Sequence, residues 1–342
     1  MKKFIFYILI LILGIVTAFT YVMGSLHYFL FSPAPVFQQS TKTIMIESGL
    51  SGRAIVGILQ REGIITQPEL FLGGWKLRFG HKSFQAGEYT FRKTITPLEI
   101  MMKLIRGQVI LHALTIPEGW EKRQIAALVE QRYGLESHLS LTIMNKVTLL
   151  KKYGVEGPSL EGFLYPDTYH FPRKVTSEII IQTMVSRFFD IFTEQYKHRA
   201  QELGYSILEL CTLASLIERE AAIAEERPLI SAVYHNRLEK KMRLQCDPTV
   251  IYALPHFTGN LTKKDLAFDS PYNTYKYGGL PPGPICNPGH ASIQAALYPA
   301  QVPYLYFVAK GDKSGRHVFS KSLRDHNRAV YNEQIRPRRR KK

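Results

Sequence analysis

The run from Phe4 to Gly24, FIFYILILILGIVTAFTYVMG, carries no charged residue over 21 positions. As a helix rising 1.5 Å per residue it would be about 30 Å long, the thickness of a bilayer's hydrocarbon core. Lys2 and Lys3 precede it, and the bias of basic residues toward the cytoplasmic side puts the N-terminus inside. A cleaved signal peptide would have a shorter apolar core, about 7–15 residues, with a small-x-small site just beyond. Here the run is longer, and Tyr28, Phe29, Leu30 and Phe31 extend it with an aromatic edge. The expectation is an uncleaved single span over residues 1–31 in the cytoplasmic (inner) membrane, with everything after residue 35 on the extracytoplasmic side. Cys211, Cys246 and Cys286 fit that compartment, being too few and too odd in number for a disulfide framework.

Beyond the span the chain is globular in composition. Of 342 residues, 45% are hydrophobic and 21% charged, which excludes a mostly disordered chain, a fibre and a polytopic membrane protein. The net charge is +16, but Lys2, Lys3 and the tail residues Arg336, Arg338, Arg339, Arg340, Lys341 and Lys342 supply eight of these charges, leaving +8 on the body. A basic body can favour nucleic acid, anionic lipid or an acidic polymer. A segment exported from the cytoplasm argues against nucleic acid, and no helix-turn-helix or RNA-binding signature occurs. With no CxxC or HExxH, no metal or cofactor is expected.

Hydrophobic periodicity predicts an α+β chain. The linker 32–40 contains Ser32-Pro33-Ala34-Pro35. Strands are expected at Thr43–Glu47 and Gly87–Phe91, with helices at Ser51–Glu62, from Pro68, and at Pro97–Ile105, making a small α+β module over 41–108. A larger, mostly helical domain spans 109–335 and a basic tail 336–342. In the larger domain, Val109–Ile116 reads as a strand and Trp120–Tyr133 as a helix. Thr176–Leu203 reads as one long amphipathic helix, and Ser206–Ala224 as a buried one. Pro228–Lys241 reads as a further helix. Asp247–His290 is expected to be loop, and loops of that length in a compact domain are usually functional. Tyr304–Ala309 and His317–Ser320 are expected to pair, and Ser322–Gln334 to close as a helix.

Glu218 is the most informative residue. On a helix its neighbours at three, four, seven and eleven positions are Ile207, Cys211, Ala214, Ser215, Ala221, Ala222 and Glu225, a small and mostly apolar stripe. Such surroundings penalise the charged form of a carboxyl, and one that keeps its proton near neutral pH can act as a general acid. The other reading is a structural pair with a core arginine. Arg219 and Glu220 read as solvent-facing charges. Beyond it, Gln245, Asp247 and Thr249 would share one face of an extended segment and could hydrogen-bond a polyhydroxylated ligand. Tyr272, Asn273 and Thr274 lie in SPYNTY, where tyrosine faces suit a sugar, as do those of Tyr275 and Tyr277. A capped turn and a structural loop are the respective alternatives.

These segments resemble a known family. Glu161 to Tyr169, EGFLYPDTY, is similar to its EGFLFPDTY motif, and Ala214 to Glu220, ASLIERE, to ASIVEKE. Asn236-Arg237-Leu238 with Leu244 to Thr249 resembles NRL…LQSDPT, and SPYNTY with GLPPGPICNPG resembles its long loop. The family is that of the endolytic murein transglycosylases, or YceG-like proteins. The resemblance covers most of residues 40–330. It implies a membrane-anchored lytic transglycosylase that cuts nascent peptidoglycan glycan strands between N-acetylmuramic acid and N-acetylglucosamine, leaving 1,6-anhydro ends. It places the catalytic glutamate on Glu218 and makes 41–108 a LysM-like module. Peptidoglycan synthases are the partners such an enzyme would work beside. Ala221 stands where the family often has Thr, and Cys246 where it often has Ser. A non-catalytic peptidoglycan-binding scaffold is the rival reading.

Overall fold

The structure is a computed structural model and describes residues 2–80 and 82–336. The expected basic tail, from 337 on, lies outside the described residues. The chain divides into two compact units, 1–113 with 170–174, and 114–169 with 175–342. Strands Leu111–Thr115 and Thr168–Pro172 pair with each other, and the division falls inside both.

The first unit begins with one helix, Lys2–Phe31, longer than the uncharged run that nucleates it. It is long and apolar enough to cross a membrane, and its apolar side chains from Phe4 to Val22 are exposed. Its end behaves differently. Phe29 and Leu30 are buried, and Leu26 packs beside them on the unit's core. Gly74 makes that approach feasible, since a β-carbon there would stand 3.0 Å from Leu30 Cδ2. Thr41–Ile46 pairs antiparallel with Gly87–Arg92, with Ile44 opposite Tyr89. Between them run Gly52–Arg61, capped by the Ser51 hydroxyl, and Pro68–Phe79, where proline opens the first turn. Pro97–Ile105 follows behind a Thr96–Glu99 capping box. Ile46, Leu59, Phe71, Phe91, Ile100 and Leu104 close the core between sheet and helices.

The second unit is built around helix Ile207–Glu220, which is buried from Leu210 to Ile217. Arg227–Glu239 and His290–Leu297 pack on it. Tyr306–Ala309 pairs antiparallel with His317–Ser320, as expected from the sequence. Several expectations are corrected. The long helix over 176–203 is two, Ser177–Ile191 and Glu194–Glu202. Phe192 leaves helical geometry to bury its ring on Phe188, and Thr193 restarts the chain as an N-cap. The buried helix stops at Glu220, and Ala221 is extended, so Ala221, Ala222 and Glu225 do not share its stripe. The stretch 247–290 is not all loop: Asp247–Ala253 and Lys263–Leu266 are helical. Pro248, expected in a turn, instead fills the first turn of a helix, where its missing N–H costs nothing.

Candidate active site

The last turn of the buried helix carries two carboxylates, Glu218 and Glu220. At 100° per residue they point about 200° apart, toward different surroundings. Glu218 is 8% exposed. Its Oε2 accepts the Gly289 N–H at 3.1 Å, and its Oε1 lies 3.8 Å from the Arg227 guanidinium. Glu118 stands beside it, and partial burial together with the Glu218 charge pushes the Glu118 carboxyl up. The structure therefore gives Glu218 a cation and a backbone donor.

Glu220, expected as a solvent-facing charge, is half-buried and lines a cleft of about 420 Å³. Its Oε1 accepts from the Tyr234 hydroxyl at 3.3 Å, and the Cys246 thiol also bonds to it. Burial pushes its carboxyl above the ordinary range, and nearby Asp247 adds to the effect, while His317 opposes it. The helix ends at this residue, so its side chain is free to leave the apolar stripe and enter the cleft. Glu220 lies off the stripe that marks Glu218.

Gln245 and Asp247 line the same cleft as Glu220. Gln245 holds a left-handed backbone, φ 49°, which turns the chain so that its N–H reaches the Thr274 carbonyl at 3.2 Å. Asp247 accepts the Tyr275 hydroxyl at 2.5 Å. Thr249 is not on their face. It is buried in helix Asp247–Ala253, where its hydroxyl donates to Cys246 O at 2.6 Å and meets the Thr274 hydroxyl at 2.9 Å. Thr274 is buried with it and accepts the Cys246 N–H. Asn273 is fully buried and donates to the carbonyls of Leu266 and Phe268. These three side chains shape the loop from inside. Tyr272 is half-buried against Tyr252, with ring centroids 5.0 Å apart, and Tyr277 is exposed with its hydroxyl on Asp269.

The remaining motifs hold this arrangement. Arg237, buried, donates to the carbonyls of Leu305 and Leu244, and Asn236 to those of Val302 and Tyr304. Glu161 accepts from Lys122 N–H, the Asn287 amide and the Tyr252 hydroxyl, and burial pushes its carboxyl up to about 7. The Pro- and Gly-rich loop is pinned to the buried helix by Ile285 N–H on the Ser215 hydroxyl at 3.0 Å. His317 and His326 also face the cleft and were not singled out from the sequence. His326 Nδ1 is buried without a hydrogen-bond partner. Among the described residues, no group of three or more His, Cys, Asp or Glu could hold a metal ion.

The α+β domain thus ends its buried helix in two carboxylates, one of them at the wall of a polar cleft, and either could serve as a general acid. Residues 44–332 match the model of the YceG-like family, and the chain belongs to that family. It is 37% identical over 316 residues to the endolytic murein transglycosylase of Bacillus subtilis strain 168, covering 88% of this chain and 87% of that one. It is 30% identical to the protein of the same name in Streptococcus pneumoniae D39, covering 89% of this chain but 60% of that longer one. A YceG-like protein of Listeria monocytogenes, solved by crystallography at 2.6 Å, superposes with a TM-score of 0.59 at 36% identity, covering 84% of this chain and 98% of that one.

Proposed function

We propose that this chain is a membrane-anchored endolytic lytic transglycosylase. It cleaves the β-1,4 bond between N-acetylmuramic acid and N-acetylglucosamine within nascent glycan strands and leaves 1,6-anhydromuramyl ends. The observation that carries this reading is Glu220: a carboxyl that burial pushes above the ordinary carboxylate range, at the wall of a polar cleft shared with Gln245 and Asp247. Hydrolytic glycosidases usually need two carboxylates, one to protonate and one to act as nucleophile or base. A lytic transglycosylase can work with one. Glu220 gives its proton to the leaving oxygen as the C1–O4 bond breaks. The resulting carboxylate takes the proton of the muramyl C6 hydroxyl as that oxygen attacks C1. Gln245 and Asp247 orient hydroxyl and N-acetyl groups, and Thr249, Asn273 and Thr274 hold the loop beside them, with Tyr272 packed on Tyr252 away from the cleft.

The sequence argument favours Glu218, and that assignment is the second reading, favoured by its near-complete burial at the same helix end. Parallel turnover measurements on Glu220→Gln and Glu218→Gln separate the two. The Glu220 reading expects a loss of about 10³-fold or more in Glu220→Gln, since one residue serves both proton transfers and each contributes about 10²–10⁴. Loss confined to Glu218→Gln moves the acid to Glu218. Wild-type turnover in both variants would overturn both assignments, and no turnover in the folded wild type would leave the wall-binding scaffold.

The helix Lys2–Phe31 supports insertion in the cytoplasmic membrane with the folded units outside. The strand–helix–helix–strand order of 41–92 supports reading the first unit as a LysM-like module that holds glycan. Peptidoglycan synthases, which make the nascent strand, are the partners this placement suits.

A further inference from the structure

The first unit has a cleft of its own, of about 630 Å³, between strand Gly87–Arg92 and helix Pro97–Ile105. Alternation along the strand sends Tyr89 and Phe91 into the core and leaves Thr90 and Arg92 on the opposite face. On the helix, Glu99, Lys103 and Arg106 follow one another at i, i+4 and i+7, a polar stripe beside the buried Leu98, Met101 and Leu104. Where the two faces meet, Arg92, Lys103 and Arg106 stand in one cleft wall. Glu99 is the acidic residue of that wall, and its Oε2 already accepts the N–H and hydroxyl of Thr96 in the capping box. None of the three cations forms an ion pair among the described residues. Lys103 is half-buried, and its Nζ donates to the Thr90 carbonyl at 2.5 Å and stands 5.7 Å from the centre of the Phe91 ring. Burial, and then the Arg92 charge, push its ammonium down. A solvated surface lysine would be free to swing away from a like charge. Lys103 is instead fixed beside Arg92 without a counter-charge, an arrangement that a bound anion relieves.

We propose that this cleft, lined by Arg92, Lys103 and Arg106, binds carboxylate groups carried by peptidoglycan, so that the first unit grips the strand by charge. This rests on the reading of that unit as the part that holds glycan. Each N-acetylmuramic acid bears a lactyl carboxyl, which is free on a strand without peptide. Where a peptide is attached, that carboxyl is an amide, and the peptide supplies carboxyls of its own. Either source presents the same group, which a guanidinium fork takes bidentately and an ammonium takes as a point charge. Thr94 and Gln108 line the same cleft and can bond hydroxyl or amide groups beside the carboxylate. A concave wall with three cations suits a single anionic group on a chain better than the flat face of an anionic membrane.

The test measures binding of the full-length protein, with Glu218 and Glu220 both replaced by Gln so that the strands stay intact. The immobilised probes are peptide-free glycan strands and peptide-bearing strands, each also after conversion of its carboxyls to methylamides, and vesicles containing phosphatidylglycerol. Into this parent are placed Arg92→Gln with Arg106→Gln, Lys103→Gln alone, and, as a control, Arg61→Gln with Arg78→Gln. The control removes the same charge from exposed positions elsewhere in the unit, and Arg92 and Arg106 are themselves exposed, so the core is untouched. A thermal melt of each variant accompanies the binding. The Arg92 and Arg106 pair of substitutions should weaken binding to native strands at least roughly tenfold, the scale of one lost charge-assisted hydrogen bond, and leave binding to methylamide strands unchanged. Lys103→Gln should act in the same direction. A loss on peptide-free strands assigns the lactyl carboxyl, and a loss seen only on peptide-bearing strands assigns the carboxyls of the peptide. Unchanged binding in the folded cleft variants, an equal loss in the control, or a loss that persists on methylamide strands overturns the proposal. So does a loss confined to the vesicles, which would make the cleft a lipid site. A parent that binds none of the strands refutes the glycan-holding reading of the unit, whereas one that binds native and methylamide strands equally refutes only the carboxylate site.

Discussion

Glu218 and Glu220 sit two residues apart on one helical turn, and their surroundings give them different chemistry. The Glu218 carboxylate has the Arg227 guanidinium at 3.8 Å and the Gly289 N–H at 3.1 Å, partners that a structural pair would use. A carboxyl among Tyr234, Cys246 and Asp247 is held toward its neutral form, which suits an acid. The sequence stripe could single out an acidic residue on a buried face. It could not show that the helix ends at Glu220, or that Arg227 comes back to meet Glu218. Both depend on the turn after Ala221, which has no periodic signature. Glu161 carries a separate prediction. Its carboxyl is raised from 4.5 to about 7 in the folded chain, so between those values the native state binds more protons than the unfolded one. Stability from this group is therefore fully present below about pH 4.5 and lost as pH rises toward 7. Thermal melts at pH 5 and pH 7.5 should differ more for wild type than for Glu161→Gln; equal differences would show that Glu161 does not titrate in that window.

At the scale of elements, the segments with strong local signals are where the sequence predicts them. The capping box at Thr96, proline at the start of Pro68–Phe79 and the alternation in Gly87–Arg92 are each local. The segments packed around the buried helix near Glu218 are not. The loop from Gly278 to Gly289 takes its shape from Ser215, and the EGFLYPDTY segment takes its shape from Asn287 and Lys122. Motifs far apart in sequence thus meet through contacts no window reveals. Gly162 shows how tight those contacts are. Its φ is +87°, and a β-carbon there would overlap Pro284 and stand 2.9 Å from Cys211 Sγ. Gly162→Ala should cost about 2 kcal/mol or more, from strained backbone and overpacking together. A denaturant midpoint unchanged from wild type would contradict that packing.

For the whole molecule, the anchor helix does two jobs over its length. Residues up to Val22 present apolar surface outward, while Leu26, Phe29 and Leu30 complete the core of the first unit. A truncated protein beginning at Ser25 should stay folded and act on soluble strands. One beginning at Pro35 removes three core side chains and should melt several degrees lower, since burying each such side chain is worth about 1.5–3 kcal/mol. Equal melting temperatures would show that the end of the helix is dispensable to the core. A reporter fused after Lys342 should be active only in a form that works outside the cytoplasm, and activity of a cytoplasm-only reporter would reverse the topology.

The central claim is that one carboxyl, Glu220, runs both proton transfers and that C6 oxygen, not water, takes C1. The most direct measurement is mass spectrometry of the products that the full-length protein releases from purified glycan strands, with Glu220→Gln as the paired sample. The account predicts internal cuts that end in 1,6-anhydromuramyl groups and no such ends from Glu220→Gln. Reducing ends from the wild type, or anhydro ends from Glu220→Gln at an undiminished rate, would contradict it.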